Sequence, residues 1–456
     1  MSLVPPPLSL YVHMPWCVRK CPYCDFNSHQ QPERIPVDDY VAALIADLEQ
    51  DLPLVWGRPV HSVFFGGGTP SLFPPGAIGD ILSACAARLR FAPGAEITME
   101  CNPGTAEHGL FEAYLAAGVN RISFGIQSFD DGCLQRLGRI HDSAEAERAV
   151  KLAQDAGIDN LNLDLMYALP QQTLAMALRD VEKAIALQPA HLSHYQLTLE
   201  PNTVFAARPP QGIPDEDAAW DMQERCIEAM AAAGHAQYEI SAYARPGRQC
   251  AHNLNYWRFG DYIGIGAGAH AKLTAPDGTV QRRWKQKHPR AYQSAAATAQ
   301  RLGGDDVVAH DQLPFEFMLN ALRLNHGFAL PDFEQRTGLS RDAIAVPLAE
   351  AQRRGWLAHG CHREQDRERR QEDDEPAHGG DAVQMVALEH AGHDRRQAQH
   401  QDHAHHIGAL PPGEHAGALL VVGGQNRPPG GLREHHHRIA DIDDGEPEPQ
   451  VKRAYA

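Results

Sequence analysis

The stretch "YVHMPWCVRKCPYCDFNSH", Tyr11–His29, decides how the chain is read. Cys17, Cys21 and Cys24 stand in CxxxCxxC spacing, directly after the short apolar run Leu8–His13, which reads as a strand. Three cysteines within eight residues, in a chain that has nine, form a strong local cluster. Three readings compete. The thiols are unrelated core residues, which their spacing opposes. Or they hold a structural zinc, which needs four protein ligands and would recruit His13 or His29. Or they hold a [4Fe–4S] cluster. Four cysteines close such a cluster for electron transfer; three leave one iron open to a substrate or cofactor.

Outward from this loop the chain repeats one unit as far as about residue 200. A short β-rich run is followed by a Gly/Pro/Asn turn and then an amphipathic stretch. The strand candidates are Leu8–His13, Ser62–Phe65, Glu96–Glu100, Arg121–Gln127, Leu161–Tyr167 and His191–Thr198. Between them, apolar residues recur at helical spacing, as at Val37, Val41, Leu44, Ile45 and Leu48, and again at Leu174, Leu178, Val181 and Ile185. Strands alternating with helices imply an α/β fold with a parallel sheet and right-handed crossovers. Six units predict a partial (β/α)6 barrel resembling a TIM barrel, with its site at the C-terminal strand ends. The polar punctuation falls there: the cysteine loop, "GGGTPS", "ECNPG" and "GIQSF".

The expected organisation is a barrel over 1–205, a mixed α/β extension over 206–287 and a small helical, winged-helix-like domain over 288–357. The extension has a helix near Asp217–Ala233 and strand-like runs at Tyr238–Tyr243 and Tyr262–His270. At Ala358 the composition breaks. Residues 358–456 contain half of the chain's 26 histidines, no Phe or Trp, and one Tyr, Tyr455. Such a segment buries too little apolar area to offset its chain entropy. It reads as a disordered tail, as a metal-sequestering His-rich tail, or, the favoured reading, as translation in a shifted frame of a GC-rich gene.

The balance of 41 basic against 58 acidic residues, a net charge of −17, excludes a general nucleic-acid binder. The one dense basic stretch, "RRWKQKHPR", Arg282–Arg290, reads as a solvated loop or a binding patch. An odd number of scattered cysteines, no apolar run of membrane-spanning length and the absence of a secretory pattern in "MSLVPPPLSL" predict a reduced, cytoplasmic protein.

The CxxxCxxC loop after a first barrel strand resembles the radical SAM superfamily, over roughly the first 200 residues. The resemblance implies that the open iron is chelated by S-adenosylmethionine (SAM), which the reduced cluster cleaves to a 5′-deoxyadenosyl radical. "FFGGGTPS", Phe64–Ser71, is similar to that superfamily's glycine-rich strand end. "GGGTPS", "SFGIQSF", "LGRIH" and "NLDLMYALPQQT" narrow it to the oxygen-independent coproporphyrinogen III oxidases and their relatives. The resemblance implies Tyr11 and Tyr23 beside the cluster, and Gly67, Gly68 and Thr69 along the methionine moiety. It implies SAM contacts at Glu100, Gln127, Arg139, Asp164 and, more weakly, Thr198. Read without it, Glu100 and Asp164 are turn or cap carboxylates, and Gln127 satisfies backbone groups.

The oxidases carry a fourth cysteine two residues after the third, where this chain has Phe26, and a longer N-terminal extension than the 16 residues preceding Cys17. Both departures match the heme-chaperone sister family, as does "HNLNYW", His252–Trp257. This resemblance implies a heme-binding protein that serves acceptor hemoproteins such as respiratory cytochromes, including acceptors at the membrane surface, with His252 as axial ligand and His270 a weaker candidate. The alternative is an oxidase that decarboxylates coproporphyrinogen III. Read from the residues alone, His252 is a structural histidine with Tyr256 and Trp257 as core anchors.

Overall fold

The computed structural model describes residues 5–105, 109–360 and 382–385. Six strands form the expected parallel series: β1 (Leu8–Met14), β2 (Pro59–Gly67), β3 (Arg90–Cys101), β4 (Arg121–Gln127), β5 (Leu161–Tyr167) and β6 (His191–Gln196). Helices α1 (Val37–Val55), α2 (Pro75–Ala86), α3 (Leu110–Ala117), α4 (Asp131–Arg136), α5 (Ser143–Asp155) and α6 (Leu174–Ala186) connect them.

Period-two alternation sorts the side chains of each strand. On β1, Leu8, Leu10, Val12 and Met14 are buried against the helical layer, while Ser9, Tyr11 and His13 face the barrel interior. On β2 the interior set is Ser62, Phe64 and Gly66; on β3 it is Glu96, Thr98 and Glu100. Ser123 and Gln127 on β4, Asn162 and Asp164 on β5, and His191, Ser193 and Tyr195 on β6 complete the lining through a connected set of hydrogen bonds. The interior of the barrel is therefore polar and hydrogen-bonded, while the opposite faces of the strands are apolar.

The sheet continues beyond these six strands. Among the described residues it has twelve strands, with β1 to β6 side by side in chain order. β7 (Ala236–Glu239) and β8 (Ala242–Ala244) form a short antiparallel pair on one edge, after helix α7 (Glu216–Ala232). The run expected over Tyr238–Tyr243 is thus a turn between two strands. On the other edge, β9 (Asp261–Ile265) follows helix α8 (Ala251–Trp257) and pairs parallel with β1, a seventh parallel strand where six were expected. The run Tyr262–His270 ends in a tight turn. From it β10 (His270–Thr274), β11 (Val280–Lys285) and β12 (Leu302–Val307) add antiparallel strands. β12 lies within the stretch expected to be helical.

The first half of the basic stretch, Arg282–Lys285, is a strand rather than a loop. β11 carries Lys285, 1% exposed, against Asp47 and Asp51 of α1, and Arg283 against Asp51 and Asp305. Arg301 meets both α1 carboxylates, Tyr292 donates to Asp47, and Arg282 pairs with Glu316. This buried ion cluster fastens α1 to the sheet extension.

The C-terminal part consists of helices α9 (Leu313–Ala321), α10 (Leu330–Thr337) and α11 (Asp342–Arg353) with a three-stranded antiparallel sheet of Phe328–Ala329, Ala382–Met385 and Leu357–Gly360. Apart from the strand residues just named, the tail expected from 358 lies outside the described residues. No described helix is long and apolar enough to cross a membrane.

Candidate functional site

The cysteine loop leaves the C-terminal end of β1. Trp16–Cys17 pairs with His29–Gln30 in a two-residue parallel ladder, so the loop closes on itself. Its base is sewn to β2: Gly68 N donates to Met14 O at 2.7 Å and Thr69 N to Trp16 O at 2.7 Å. These contacts explain the glycine run. Gly67 has φ +108°, and a Cβ there would strike the His13 ring; a Cβ on Gly68 would lie 2.5 Å from Trp16 O. Gly68 and Thr69 therefore serve first to hold the cysteine loop against the sheet.

Cys17, Cys21 and Cys24 are free thiols of intermediate exposure. Thr69 and Ser28 hydrogen-bond Cys17, Ser28 Oγ lies 3.8 Å from Cys24 Sγ, and Arg139 Nη1 donates to Cys21 Sγ at 3.6 Å. Burial pushes the Cys24 thiol up to about 11. Phe26 is 41% exposed, and its side chain supplies no ligand atom. Among the described residues, no group of three or more His, Cys, Asp or Glu converges closely enough to hold one metal ion. Both ring nitrogens of His13 are engaged, Nδ1 with Tyr11 OH at 3.0 Å and Nε2 with Asn27 O at 2.9 Å. A tetrahedral zinc would need a fourth protein ligand, and His13 has no free nitrogen to supply it. A multi-iron cluster gives each thiolate its own iron, and the donors around the sulfurs offset its negative charge. The residues fit that group.

The other predicted residues lie on neighbouring strands or beyond their ends. Glu100 Oε2 accepts from Gly67 N at 3.2 Å. Burial pushes the Glu100 carboxyl up to about 8, and the nearby Asp164 adds to the shift. Asp164 is raised by burial as well, and hydrogen bonds from Ser193, Asn162 and Ser123 oppose the rise. Gln127 ends β4 in the left-handed region, φ 71°, with Oε1 accepting from Tyr195 OH at 2.8 Å. Such a conformation in a non-glycine residue costs about 1 kcal/mol or more and is typical of functional strand ends. Arg139 Nη2 donates to Gly125 O at 2.5 Å, which aims the guanidinium between β4 and Cys21. Tyr23 packs on Phe205 and lies beside Arg139 and the Cys21 thiol.

Sequence reasoning missed Tyr195, whose hydroxyl stands within electrostatic reach of Asp164, Tyr23, Arg139 and Glu100. Alternation along "HLSHYQ" places it on the inner face with His191 and Ser193. It also missed Asn27, which ties the cysteine loop to Ala267 O and Lys287 O. Thr198 lies past the end of β6 and donates to Glu200.

His252 is not in this group. It sits on α8 at the opposite end of the barrel, 0% exposed. Nδ1 is hydrogen-bonded to Ser62 Oγ at 2.9 Å and Nε2 to Tyr256 OH at 2.9 Å. Burial lowers its pKa to about 3. A heme iron needs an accessible lone pair and open space over the ring; His252 presents neither, so the structure does not support it as axial ligand. His270, half-buried, stacks on Trp284 at 6.2 Å.

The radical SAM superfamily profile matches residues 11–184, and the HemN C-terminal domain profile matches residues 308–362. The chain is 54% identical to the Escherichia coli protein named heme chaperone HemW, over 77% of this chain and 92% of that protein. It is 52% identical to the heme chaperone HemW of Haemophilus influenzae, over 78% of this chain and 93% of that protein. Among solved structures, the radical SAM enzyme coproporphyrinogen III oxidase HemN of E. coli superposes with a TM-score of 0.66 at 22% identity, over 84% of this chain and 87% of that one, and so shares the fold. With a radical SAM barrel, a HemN-type C-terminal domain and this level of identity along nearly the whole of those relatives, the chain belongs to the HemW family of the radical SAM superfamily.

Proposed function

We propose that the protein is a heme chaperone: it binds heme and passes it to acceptor hemoproteins, with respiratory cytochromes the expected class. The observation that carries this reading is the 54% identity over 92% of a heme chaperone's length. Phe26, where the oxidase relatives carry a further cysteine, favours it over porphyrin decarboxylation.

In this reading Cys17, Cys21 and Cys24, as thiolates, hold a [4Fe–4S] cluster, which supplies one-electron chemistry at an open iron when bound. Arg139, Ser28 and Thr69 steady the sulfurs through their hydrogen bonds. SAM would be held by Tyr11, Tyr23, Gly67, Glu100, Gln127, Arg139 and Asp164. Burial favours a proton on Glu100 in the free protein, and its carboxyl, which already accepts from the Gly67 amide, would accept in the same way from the SAM amino group or ribose hydroxyl. Asp164 stays oriented by Ser123 and Asn162. The heme ligand is a residue other than His252.

Anaerobic reconstitution tests the cluster: one [4Fe–4S] per chain is expected, and a protein that takes up only zinc would reject this part. Incubation with reductant, SAM and coproporphyrinogen III separates the two functions. No protoporphyrinogen is expected; its accumulation would establish the oxidase instead.

A further inference from the structure

His252 has no access to a macrocycle, yet it touches the residues that shape the mouth. Its ring stacks on Phe64, centroids 5.0 Å apart at 28°. Phe64 stacks in turn on Tyr11, 6.3 Å apart at 21°. The Tyr11 hydroxyl meets His13 Nδ1 at 3.0 Å, and His13 Nε2 meets Asn27 O, inside the cysteine loop, at 2.9 Å. Side-chain contacts therefore run without a break up the barrel axis from α8 to the loop of Cys17, Cys21 and Cys24. The column also reaches the glycine run. A Cβ on Gly66 would lie 2.8 Å from the Phe64 ring and 3.2 Å from Glu100 Oε2, so Phe64 sets the floor on which Glu100 and the Gly67 amide meet.

The lower end of the column is fixed from three sides. Ser62 Oγ, held by Ser9 Oγ at 2.7 Å, fixes Nδ1 of His252; Tyr256 fixes Nε2; and Glu96 accepts from the Ala251 and His252 amides. Ser62 lies four residues before Gly66, roughly 13 Å along the strand at 3.3 Å per residue. A ligand bound at His252 would thus be cut off from the mouth by Phe64.

We propose that His252 is a positioning residue for the cluster-and-SAM site, acting through Phe64 and Tyr11, and that the HNxxYW motif is the buried foot of that site. This rests on the reading of the mouth given above. The ring, clamped at both nitrogens, presents a fixed face to Phe64. Phe64 keeps Tyr11 and Gly66 in register. Tyr11 and His13 then fix the cysteine loop.

The test uses the full chain with its cluster reconstituted. For His252→Ala, SAM affinity falls on the order of tenfold, the size typical when a supporting partner of a ligand is lost. The EPR signal of the reduced cluster with SAM changes shape. Hemin affinity and the Soret position stay those of the wild type. His252→Gln, which retains a hydrogen-bonding group for Ser62, recovers part of the SAM affinity. Should His252→Ala fold poorly, Ser62→Ala leaves the His252 ring in place and is expected to lower SAM affinity with hemin binding intact. A lost or shifted Soret band with unchanged SAM affinity would overturn the proposal in favour of a heme ligand. Unchanged SAM affinity in all of these variants would overturn it in favour of an inert core histidine. A wild-type cluster whose EPR ignores SAM would bring down the underlying reading, and is recognised without any variant.

Discussion

Glu100 shows how a single position carries both cost and purpose. Its carboxyl is raised to about 8 by burial, against 4.5 in an unstructured chain. Between those values the folded protein holds a proton that the unfolded chain has released, so folding stability declines as pH rises through this window. Glu100→Gln is therefore expected to raise the melting temperature of the cluster-free protein, more at pH 8.5 than at pH 5, while weakening SAM binding. A melting temperature unchanged at both pH values would show that the carboxyl is well solvated. The residue was legible in the sequence because "TMECNPG" puts a carboxylate at a strand end next to a turn. Phe64 was not. An aromatic beside glycines reads as core, and only the placement of α8 beneath it reveals a prop between His252 and Tyr11.

At the scale of elements, the six barrel strands could be read because each alternates apolar and polar residues over a short span. β9 could not be placed that way. It pairs with β1, whose residues lie some 250 positions earlier, and no local pattern encodes that partner. The same distance hid the purpose of "RRWKQKHPR". Its Lys285 is answered by Asp47 and Asp51, one helical turn apart on α1, more than 230 residues away. The cluster is buried, so removing one member leaves the others uncompensated. Asp47→Asn is expected to cost about 3 kcal/mol, seen as a lower urea midpoint without a change in slope. A midpoint within error of the wild type would mean that Asp51 alone satisfies Lys285 and Arg301. α1 also supplies Tyr40, whose hydroxyl donates to His13 O and accepts from Ala267 N, so its attachment bears on the cysteine loop as well as on the sheet.

For the whole molecule, the composition break at Ala358 falls inside a folded element. Leu357–Gly360 is an edge strand, and its partner Ala382–Met385 is the central strand of the small C-terminal sheet. A chain cut after Leu357 loses that central strand and is expected to be less soluble and to melt lower than one cut after Ala387. Equal melting temperatures would show that the sheet contributes nothing to the fold. Sequencing the gene across codon 358 examines the frame-shift reading; a corrected frame with apolar periodicity is the expected result, and an unchanged frame would reject it. The barrel, the cysteine loop and the mouth carboxylates were readable from sequence because each is local. The isolation of His252 from the mouth is a property of the assembled barrel and could not be. The central claim is heme delivery, and heme transfer measures it most directly. The full chain, loaded with one heme and mixed with an apo-cytochrome, is expected to lose its Soret band as the holo-cytochrome spectrum grows, faster than free hemin of equal concentration is taken up. Transfer no faster than from free hemin, or a chain that retains its heme, would contradict the account.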